Sequence, residues 1–246
     1  MISQRFFRAA FLILAAGSAG TANAACRQAL ALGLDVSSSV DPQEYKLQMG
    51  GLALALLDAE VRTLLFSQPS APVALAVYEW SSQSDQNLIV DWRLIKSDTD
   101  LQEIAAVLQA RHHSPITRST ALGHAIRYGG RLLARAPDCW TLTLDISGDG
   151  KNNDGFFPRL AHKDAIFQSA TINGLVIDSD AAIVNQITDY RPGDLPGYYL
   201  EEVIFGANAF IQTALGFADF QEAMRRKLLR ELSIAVSEIR HPGDNG

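Results

Sequence analysis

The sequence of 246 residues has no stretch near the roughly 20 uninterrupted apolar residues that a membrane-spanning helix needs. It also lacks an excess of basic residues, because 21 Lys and Arg stand against 27 Asp and Glu. We therefore expect no membrane insertion, and neither nucleic acid nor anionic lipid is an expected partner. The sequence contains no low-complexity tract, internal repeat or long linker, which predicts a single globular domain.

The common catalytic signatures are also missing. There is no Gly-x-Ser-x-Gly elbow, no Walker loop, no Gly-x-Gly-x-x-Gly and no His-Glu-x-x-His. The adjacent histidines His112 and His113 have no Cys, His or Asp at ligand spacing, so we interpret them as part of a solvated turn. These absences favour a protein that is not an enzyme.

The first 24 residues have the pattern of a secretory signal peptide. Arg5 and Arg8 precede an apolar run at 11–16, and small residues follow as far as Ala24. Cleavage after Ala24 would remove two arginines and change the formal net charge from −6 to about −8. The mature protein is therefore predicted to be periplasmic or secreted.

The remaining chain alternates apolar runs with helical patterns. Four continuous apolar runs predict strands of a parallel sheet that is covered on both faces: 29–35, 73–78, 140–146 and 172–177. Five helical patterns are predicted at 42–58, 99–109, 120–135, 158–169 and 219–238. A fold of this kind is α/β, doubly wound and mostly parallel, with helices on both faces.

Three further segments complete the predicted architecture. The apolar run 88–94 follows its neighbour after a short polar segment, which predicts a hairpin and one antiparallel edge strand. The Pro/Gly-rich stretch 191–197 is interpreted as a loop that Tyr198 and Tyr199 hold in place. The last strand is predicted near 209–214.

Oxygen-bearing side chains follow two strands that are predicted to be neighbours. Asp35, Ser37 and Ser39 follow the first strand, and Asp149 follows the strand at 140–146. In such folds ligands bind beyond the carboxyl ends of the strands, where the strand order reverses. Mg²⁺ prefers oxygen ligands and usually takes one or two carboxylates, so the two turns predict a cation site. The alternative is that these turns only cap the next helix.

The two cysteines lie at the opposite end of the same two strands. Cys26 precedes Asp35 by nine residues, and Cys139 precedes Asp149 by ten. Neighbouring strands lie about 4.8 Å apart, which is within the reach of a disulfide. The sequence therefore predicts a Cys26–Cys139 disulfide, with two free thiols as the alternative.

Asp145 lies inside a predicted central strand, where an unpaired carboxylate is costly. We expect it to bond to neighbouring backbone or hydroxyl groups and to support the two turns. The alternative is a second oxygen cluster with Ser147 and Asp149.

Lys227 is expected on a solvated face of the last helix, and Trp140 in the core.

Together these motifs resemble a von Willebrand factor type A domain, and most closely an uncharacterised branch of that family in secreted proteins of Gram-negative bacteria. The family's metal-ion-dependent adhesion site (MIDAS) contains Asp-x-Ser-x-Ser, a later threonine and an Asp-Gly turn. The segment 35–39, Thr120 and Asp149-Gly150 match these three parts in order. The resemblance implies one domain at 25–240, and we expect a disordered tail at 241–246.

The resemblance also implies the role of each residue. Ser37, Ser39 and Thr120 would bind the metal directly, and Asp35 and Asp149 would act through bound water. The expected ion is Mg²⁺, with Mn²⁺ or Ca²⁺ possible. A carboxylate from a partner protein or peptide would complete the coordination, which implies a secreted, metal-dependent binding protein.

Two departures from the family pattern leave alternatives open. Thr120 follows Arg118-Ser119 where the family has Gly-Gly, so Thr117 or Ser119 is an alternative ligand. Gly148 stands before Asp149, where the family usually has Thr. Two other functions also remain open: a metal-dependent hydrolase with Asp145 or His124 as its base, and a structural scaffold with a degenerate metal site.

Overall fold

A computed structural model describes residues 26–113, 119–178, 183–184, 187–188 and 194–239. Its strands are β1 (Cys26–Asp35), β2 (Val73–Trp80), β3 (Gln86–Ile95), β4 (Cys139–Gly148), β5 (Ala170–Ile177), β6 (Ile183–Val184), β7 (Ile187–Thr188) and β8 (Ile211–Ala214). Six of them form one sheet in the order β3-β2-β1-β4-β5-β8, and β6 and β7 form a small separate ribbon. In the larger sheet only β2 and β3 pair antiparallel, which confirms the predicted fold.

The helices flank this sheet. They are α1 (Pro42–Leu56), α2 (Ala59–Leu65), α3 (Asp98–Gln109), α4 (Leu122–Leu133), α5 (Pro158–Ala161), α6 (Leu195–Tyr198) and α7 (Phe220–Ile239). Short 3₁₀ turns span Ala165–Gln168 and Phe217–Asp219, and a π-helical turn spans Tyr199–Val203. Within the described part of the chain, no helix is both long enough and apolar enough to span a membrane.

Strand β1 lies at the centre and divides the interior into two cores. Its residues alternate between the two faces: Leu30 and Leu32 belong to the core under α1, α3 and α7, and Ala29 and Ala31 to the core under α4. All ten residues of β1 are buried, because helices cover both faces of the sheet. The small alanines allow α4 to approach closely.

Helix α1 starts immediately after the loop that carries the predicted site. Asp41 accepts hydrogen bonds from the amides of Gln43 (2.7 Å) and Glu44 (2.8 Å), and the Glu44 carboxylate accepts one from the amide of Asp41 (2.9 Å). This capping box, with Pro42 in the first turn, confirms the predicted helix start. It anchors the end of the loop between β1 and α1 that adjoins α1.

Two segments differ from the sequence prediction. The single helix predicted at 158–169 is broken at Asp164, whose backbone is extended and whose carboxylate accepts a 2.9 Å hydrogen bond from Arg127. The predicted loop at 191–197 is wrong from Asp194 onward, where the aspartate caps α6 through a 2.6 Å bond to the amide of Gly197. Residues 191–193, the predicted signal peptide at 1–24 and the predicted tail at 241–246 lie outside the described residues.

The predicted disulfide is present. Cys26 and Cys139 are paired in the β1–β4 register, with 4.5 Å between their Cα atoms, and they are bonded to each other. The adjacent Trp140 is 49% exposed, so its prediction as a core residue is wrong, whereas Trp80 is fully buried. Trp140 is exposed because it lies at the entrance of β4.

Candidate metal site

The two oxygen-rich turns meet at the carboxyl ends of β1 and β4. The strands pair in parallel register, with Leu34 opposite Ser147, so the chain leaves both strands at the same edge of the sheet. This adjacency brings Asp35 beside the Gly148-Asp149 turn.

Asp35 is completely buried at the end of β1. Its Oδ1 accepts a 2.8 Å hydrogen bond from the amide of Ser37, and its backbone carbonyl accepts a 2.9 Å bond from the side-chain amide of Gln48. The first bond folds the chain back so that Ser37 is also buried, and Ser39 is exposed at the surface. The loop therefore presents oxygen atoms from the interior to the solvent edge.

The serines connect the first turn to the second. Ser39 Oγ donates a 2.7 Å hydrogen bond to Asp149 Oδ1, and the Oγ atoms of Ser37 and Ser39 lie 3.2 Å apart. Four of the five predicted site residues thus form one continuous group, although Ser39 and Asp149 lie 110 residues apart in sequence.

The fifth predicted residue, Thr120, lies on the same rim. It is 5% exposed, its amide donates a 2.8 Å bond to Asn153 Oδ1, and its carbonyl accepts a 2.9 Å bond from the amide of Asn153. A Cβ atom built on Gly150 would lie 3.6 Å from Thr120 Oγ1. The loop that follows Asp149 therefore holds Thr120 in place.

The two alternative ligands are placed differently. Ser119 Oγ donates a 2.6 Å hydrogen bond to Asp154, so its hydroxyl is engaged with a residue outside the predicted ligand set. Thr117 lies outside the described residues. Of the hydroxyls that the structure describes in this segment, Thr120 is the one beside the Asp149-Gly150 turn.

The electrostatics of the group are unfavourable for two bare carboxylates. Burial, and then the charge of Asp149, raises the pKa of Asp35 to about 8. Burial also raises the pKa of Asp149 above its usual value. Asp35 Oδ2 has no hydrogen-bond partner among the described residues, although buried polar atoms are nearly always paired.

The sequence did not reveal the importance of Tyr199. It was expected to hold a loop in place, but it is fully buried in the π-helical turn beside the predicted site. A Cβ atom built on Gly148 would lie 2.6 Å from the Tyr199 hydroxyl oxygen and 2.9 Å from Asp35 Oδ2. Gly148, one of the two departures from the family pattern, thus leaves space for the tyrosine.

Asp145 does not support the turns as predicted. Its Oδ2 lies 2.8 Å from Lys227 Nζ, and both side chains are buried. The expectation of a solvated Lys227 is therefore wrong, because α7 turns this side chain toward the sheet. Ser147 does not join a second cluster either, since its hydroxyl donates to the carbonyl of Gly33 (3.2 Å).

The donor set has few of the ligands that transition metals prefer. Among the described residues, no three His, Cys, Asp or Glu side chains are grouped closely enough to hold a metal ion. The gathered atoms are instead three hydroxyls and two carboxylates, a set of hard oxygen donors. Their chemistry fits a hard divalent cation, because the buried unpartnered carboxylate oxygen would gain a positive neighbour.

A sequence profile described as "Protein of unknown function (DUF1194)" matches residues 25–236. The chain belongs to the DUF1194 family. No curated protein matches this DUF1194 chain.

Solved structures show that the DUF1194 chain has the von Willebrand factor type A fold. Proximal thread matrix protein 1 from the mussel byssus has a TM-score of 0.59 at 14% identity, over 85% of this chain and 49% of that one. A von Willebrand factor type A protein from Catenulispora acidiphila has a TM-score of 0.56 at 13% identity, over 84% of this chain and 43% of that one. BatB from Bacteroides thetaiotaomicron has a TM-score of 0.51 at 16% identity, over 84% of this chain and 98% of that one.

These identities are low, so the structural likeness establishes the fold alone. The chain spans less than half the length of the mussel and Catenulispora structures. One structure of the mussel protein is described as having a zinc-occupied MIDAS motif.

Proposed function

We propose that this protein is a secreted binding module that uses a divalent cation to engage a carboxylate on a partner protein or peptide. The observation that carries the proposal is the pair of the buried Asp35 and the half-buried Asp149, surrounded by hydroxyls and with one oxygen of Asp35 unpartnered among the described residues. The ion proposed first is Mg²⁺, with Mn²⁺ and Ca²⁺ as alternatives.

A cation would offset the main electrostatic cost of the group. Two carboxylates that share a buried site repel each other, and burial penalises the charge of each. The raised pKa of Asp35 has both causes. A divalent ion reverses this balance, because a bound cation is the largest local charge.

The residues that would hold the ion are Ser37, Ser39 and Thr120 directly, with Asp35 and Asp149 acting through water. Hydroxyls are neutral ligands, so this set leaves positive charge on the ion. When bound, the ion would supply an attractive site for an incoming carboxylate oxygen. The chain's own contribution is orientation: Ser37 is held by Asp35, Ser39 by Asp149, and Thr120 by Asn153.

The surface beside Asp149 has room for a partner side chain. A cleft of about 580 Å³ borders Asp149, Gly150 and Lys151 on one side and Leu195 and Phe217 on the other. Its lining combines apolar side chains with charged ones: Ile177, Leu195 and Phe217, and Glu44, Asp149, Lys151, Asp178 and Asp194. A partner that reaches Asp149 would pass through this cleft.

Two features support the proposed compartment, the signal-peptide pattern at 1–24 and the disulfide. A signal peptide at 1–24 would export the protein, and disulfides persist in the periplasm and outside the cell. The Cys26–Cys139 bond fits such an oxidising compartment. We therefore propose a periplasmic or secreted location.

The test is isothermal titration of Mg²⁺, Mn²⁺, Ca²⁺ and Zn²⁺ into the chelator-treated mature protein. Zinc is included because of the zinc-occupied motif of the mussel protein. We expect one saturable cation site. Asp35→Asn should abolish cation binding while the far-ultraviolet circular dichroism spectrum stays unchanged. The matched control is Asp98→Asn, an exposed aspartate at the start of α3 that should bind as the unmodified protein does.

Partner binding is tested with an array of synthetic peptides made in matched Asp and Asn versions. Binding of Asp peptides that EDTA and Asp35→Asn both abolish would support the proposal. If no cation binds the unmodified protein, or if Asp35→Asn leaves cation affinity unchanged, the proposal is wrong.

A further inference from the structure

A second polar cavity lies at the opposite end of the sheet from the candidate metal site. It has a volume of about 210 Å³ and opens to solvent. It lies between the sheet and the C-terminal half of α7, with Gln28, Thr143 and Asn173 on the sheet side and Glu231 on the helix side. Since a water occupies about 30 Å³ in the liquid, the cavity has room for about seven waters or one small molecule.

The sheet face under α7 is unusually polar at this end. On β1 the apolar side chains of Leu30 and Leu32 give way to Gln28, and on β4 Asp145 and Thr143 occupy the same face. All three polar side chains are at most 7% exposed. Apolar residues at these positions would avoid the free-energy cost of burying polar groups. The polar strip therefore indicates a functional role.

Two buried acceptors at the cavity have no partner. Glu231 Oε1 receives hydrogen bonds from Lys227 Nζ (2.6 Å) and Asn173 Nδ2 (2.7 Å), whereas Glu231 Oε2 receives none from the described residues. Gln28 donates a 3.1 Å bond to Thr143 Oγ1, but its own Oε1 has no partner among the described residues. Both Glu231 and Gln28 are 2% exposed and both line the cavity.

The buried charges beside the cavity do not balance once Asp145 is ionised, above about pH 7. Two carboxylates, Asp145 and Glu231, face one ammonium group, that of Lys227. The single cation is already shared, because Lys227 Nζ lies 2.8 Å from Asp145 and 2.6 Å from Glu231. A second positive charge at Glu231 Oε2 would balance the cluster.

The outer lining of the cavity is mixed. Its exposed residues are Trp140, which is 49% exposed, Ser169, Ala207 and Asn208, and Ile234 contributes further apolar surface. The disulfide at the adjacent Cys139 fixes the backbone that carries the indole of Trp140. An anionic acceptor, a neutral acceptor and an indole in one cavity together suit a cation with an aliphatic body.

We propose that this cavity binds a small organic cation, whose ammonium group donates to Glu231 Oε2 and Gln28 Oε1 while its alkyl body lies against Trp140. The two unpartnered acceptors and the excess carboxylate disfavour an anion. A bare metal ion has no alkyl body that could pack against Trp140. This inference is independent of the metal site, which lies at the other end of the strands.

The test uses n-butylammonium as the probe and n-butanol, of the same shape but neutral, as its control. Binding to the mature protein is measured by calorimetry and by the indole N–H resonance of Trp140, which Trp140→Phe identifies. We expect saturable binding of n-butylammonium alone. Glu231→Gln should weaken it at least about tenfold, because a hydrogen bond to a charged group is lost.

Glu222→Gln is the matched control, since it removes one carboxylate from an exposed position on the same helix and should leave the affinity unchanged. If Glu231→Gln does not fold, Gln28→Leu removes the other acceptor and should also weaken binding. Absence of n-butylammonium binding, equal binding of n-butanol, or unchanged affinity in the folded Glu231 variant would overturn the proposal. Displacement by an equal concentration of potassium would assign the cavity to an inorganic ion and overturn it as well.

Discussion

The hydroxyl of Tyr199 occupies the space that a side chain at residue 148 would need: a Cβ atom on Gly148 would lie 2.6 Å from it. Both residues belong to the wall behind Asp35, since the same Cβ would lie 2.9 Å from Asp35 Oδ2. A residue from the π-helical turn thus fills the space beside Asp35 that the glycine leaves open.

This close approach predicts that Gly148→Ala destabilises the protein by about 1–3 kcal/mol, because the added methyl group overpacks the wall. Tyr199→Phe alone should have a small effect, since its hydroxyl has no partner among the described residues. In the double variant, part of the unfolding free energy that Gly148→Ala removes should be recovered. A double-mutant cycle from urea unfolding measures this coupling.

The control for that cycle is Gly50→Ala in α1, where an added Cβ meets nothing within 4 Å. It should stabilise the protein by up to about 1 kcal/mol through helix propensity. Additive effects of Gly148→Ala and Tyr199→Phe would contradict the proposed contact.

The choice between Thr120 and Ser119 as the metal ligand gives a second prediction. Thr120→Val keeps the shape but removes the hydroxyl, and we expect it to weaken Mg²⁺ binding at least about tenfold by calorimetry, whereas Thr120→Ser should keep the affinity. Ser119→Ala should leave the affinity unchanged. It should lower the free energy of unfolding by about 1 kcal/mol, because it removes the bond to Asp154. The reverse pattern would identify Ser119 as the ligand.

The disulfide between β1 and β4 gives a third prediction. It closes a loop of 113 residues, and replacing both Cys26 and Cys139 with Ser should cost about 2–5 kcal/mol of unfolding free energy. The unmodified protein treated with reductant should approach the double variant in urea unfolding, and the double variant should not respond to reductant. Equal stability of the oxidised protein and the double variant would contradict a structural role.

Much of the fold could be predicted because it depends on local patterns. The apolar run that contains Leu30 to Leu34 predicted a buried strand, and Asp41 followed by Pro42 predicted a helix start; both predictions are confirmed. The disulfide was predictable because Cys26 and Cys139 lie at matching distances from the ends of adjacent strands.

The errors concern contacts between elements that lie far apart in sequence. Lys227 has the neighbours of an exposed helix face in sequence, yet it pairs with Asp145, 82 residues earlier, because α7 packs on β5 and β8 beside β4. Tyr199 follows a Pro/Gly-rich stretch, which gave no sign that it lies behind Asp35. Such placements depend on tertiary packing, which overrides local propensity.

The buried pair of Asp145 and Lys227 predicts a specific dependence of stability on pH. Burial raises the pKa of Asp145 to about 7, from 3.8 in the unfolded chain, although the nearby Lys227 opposes the shift. Below about pH 4 the carboxyl group is protonated in both states, so its contribution to stability is complete. As the pH rises toward 7, only the folded state keeps the proton, and the unfolding free energy falls by up to about 1.4 kcal/mol per pH unit.

Asp145→Asn imitates the protonated carboxyl group and has no proton to lose, so it should lack this loss of stability. The unfolding free energy of the variant minus that of the unmodified protein should rise between about pH 4 and about pH 7 and then level off. Urea unfolding across this range measures the difference, with Asp91→Asn, an exposed aspartate that is paired with Arg135, as the control. A difference that stays constant with pH, or that falls as the pH rises, would mean that Lys227 keeps Asp145 ionised in the folded protein and that the charge excess beside the α7 cavity is permanent.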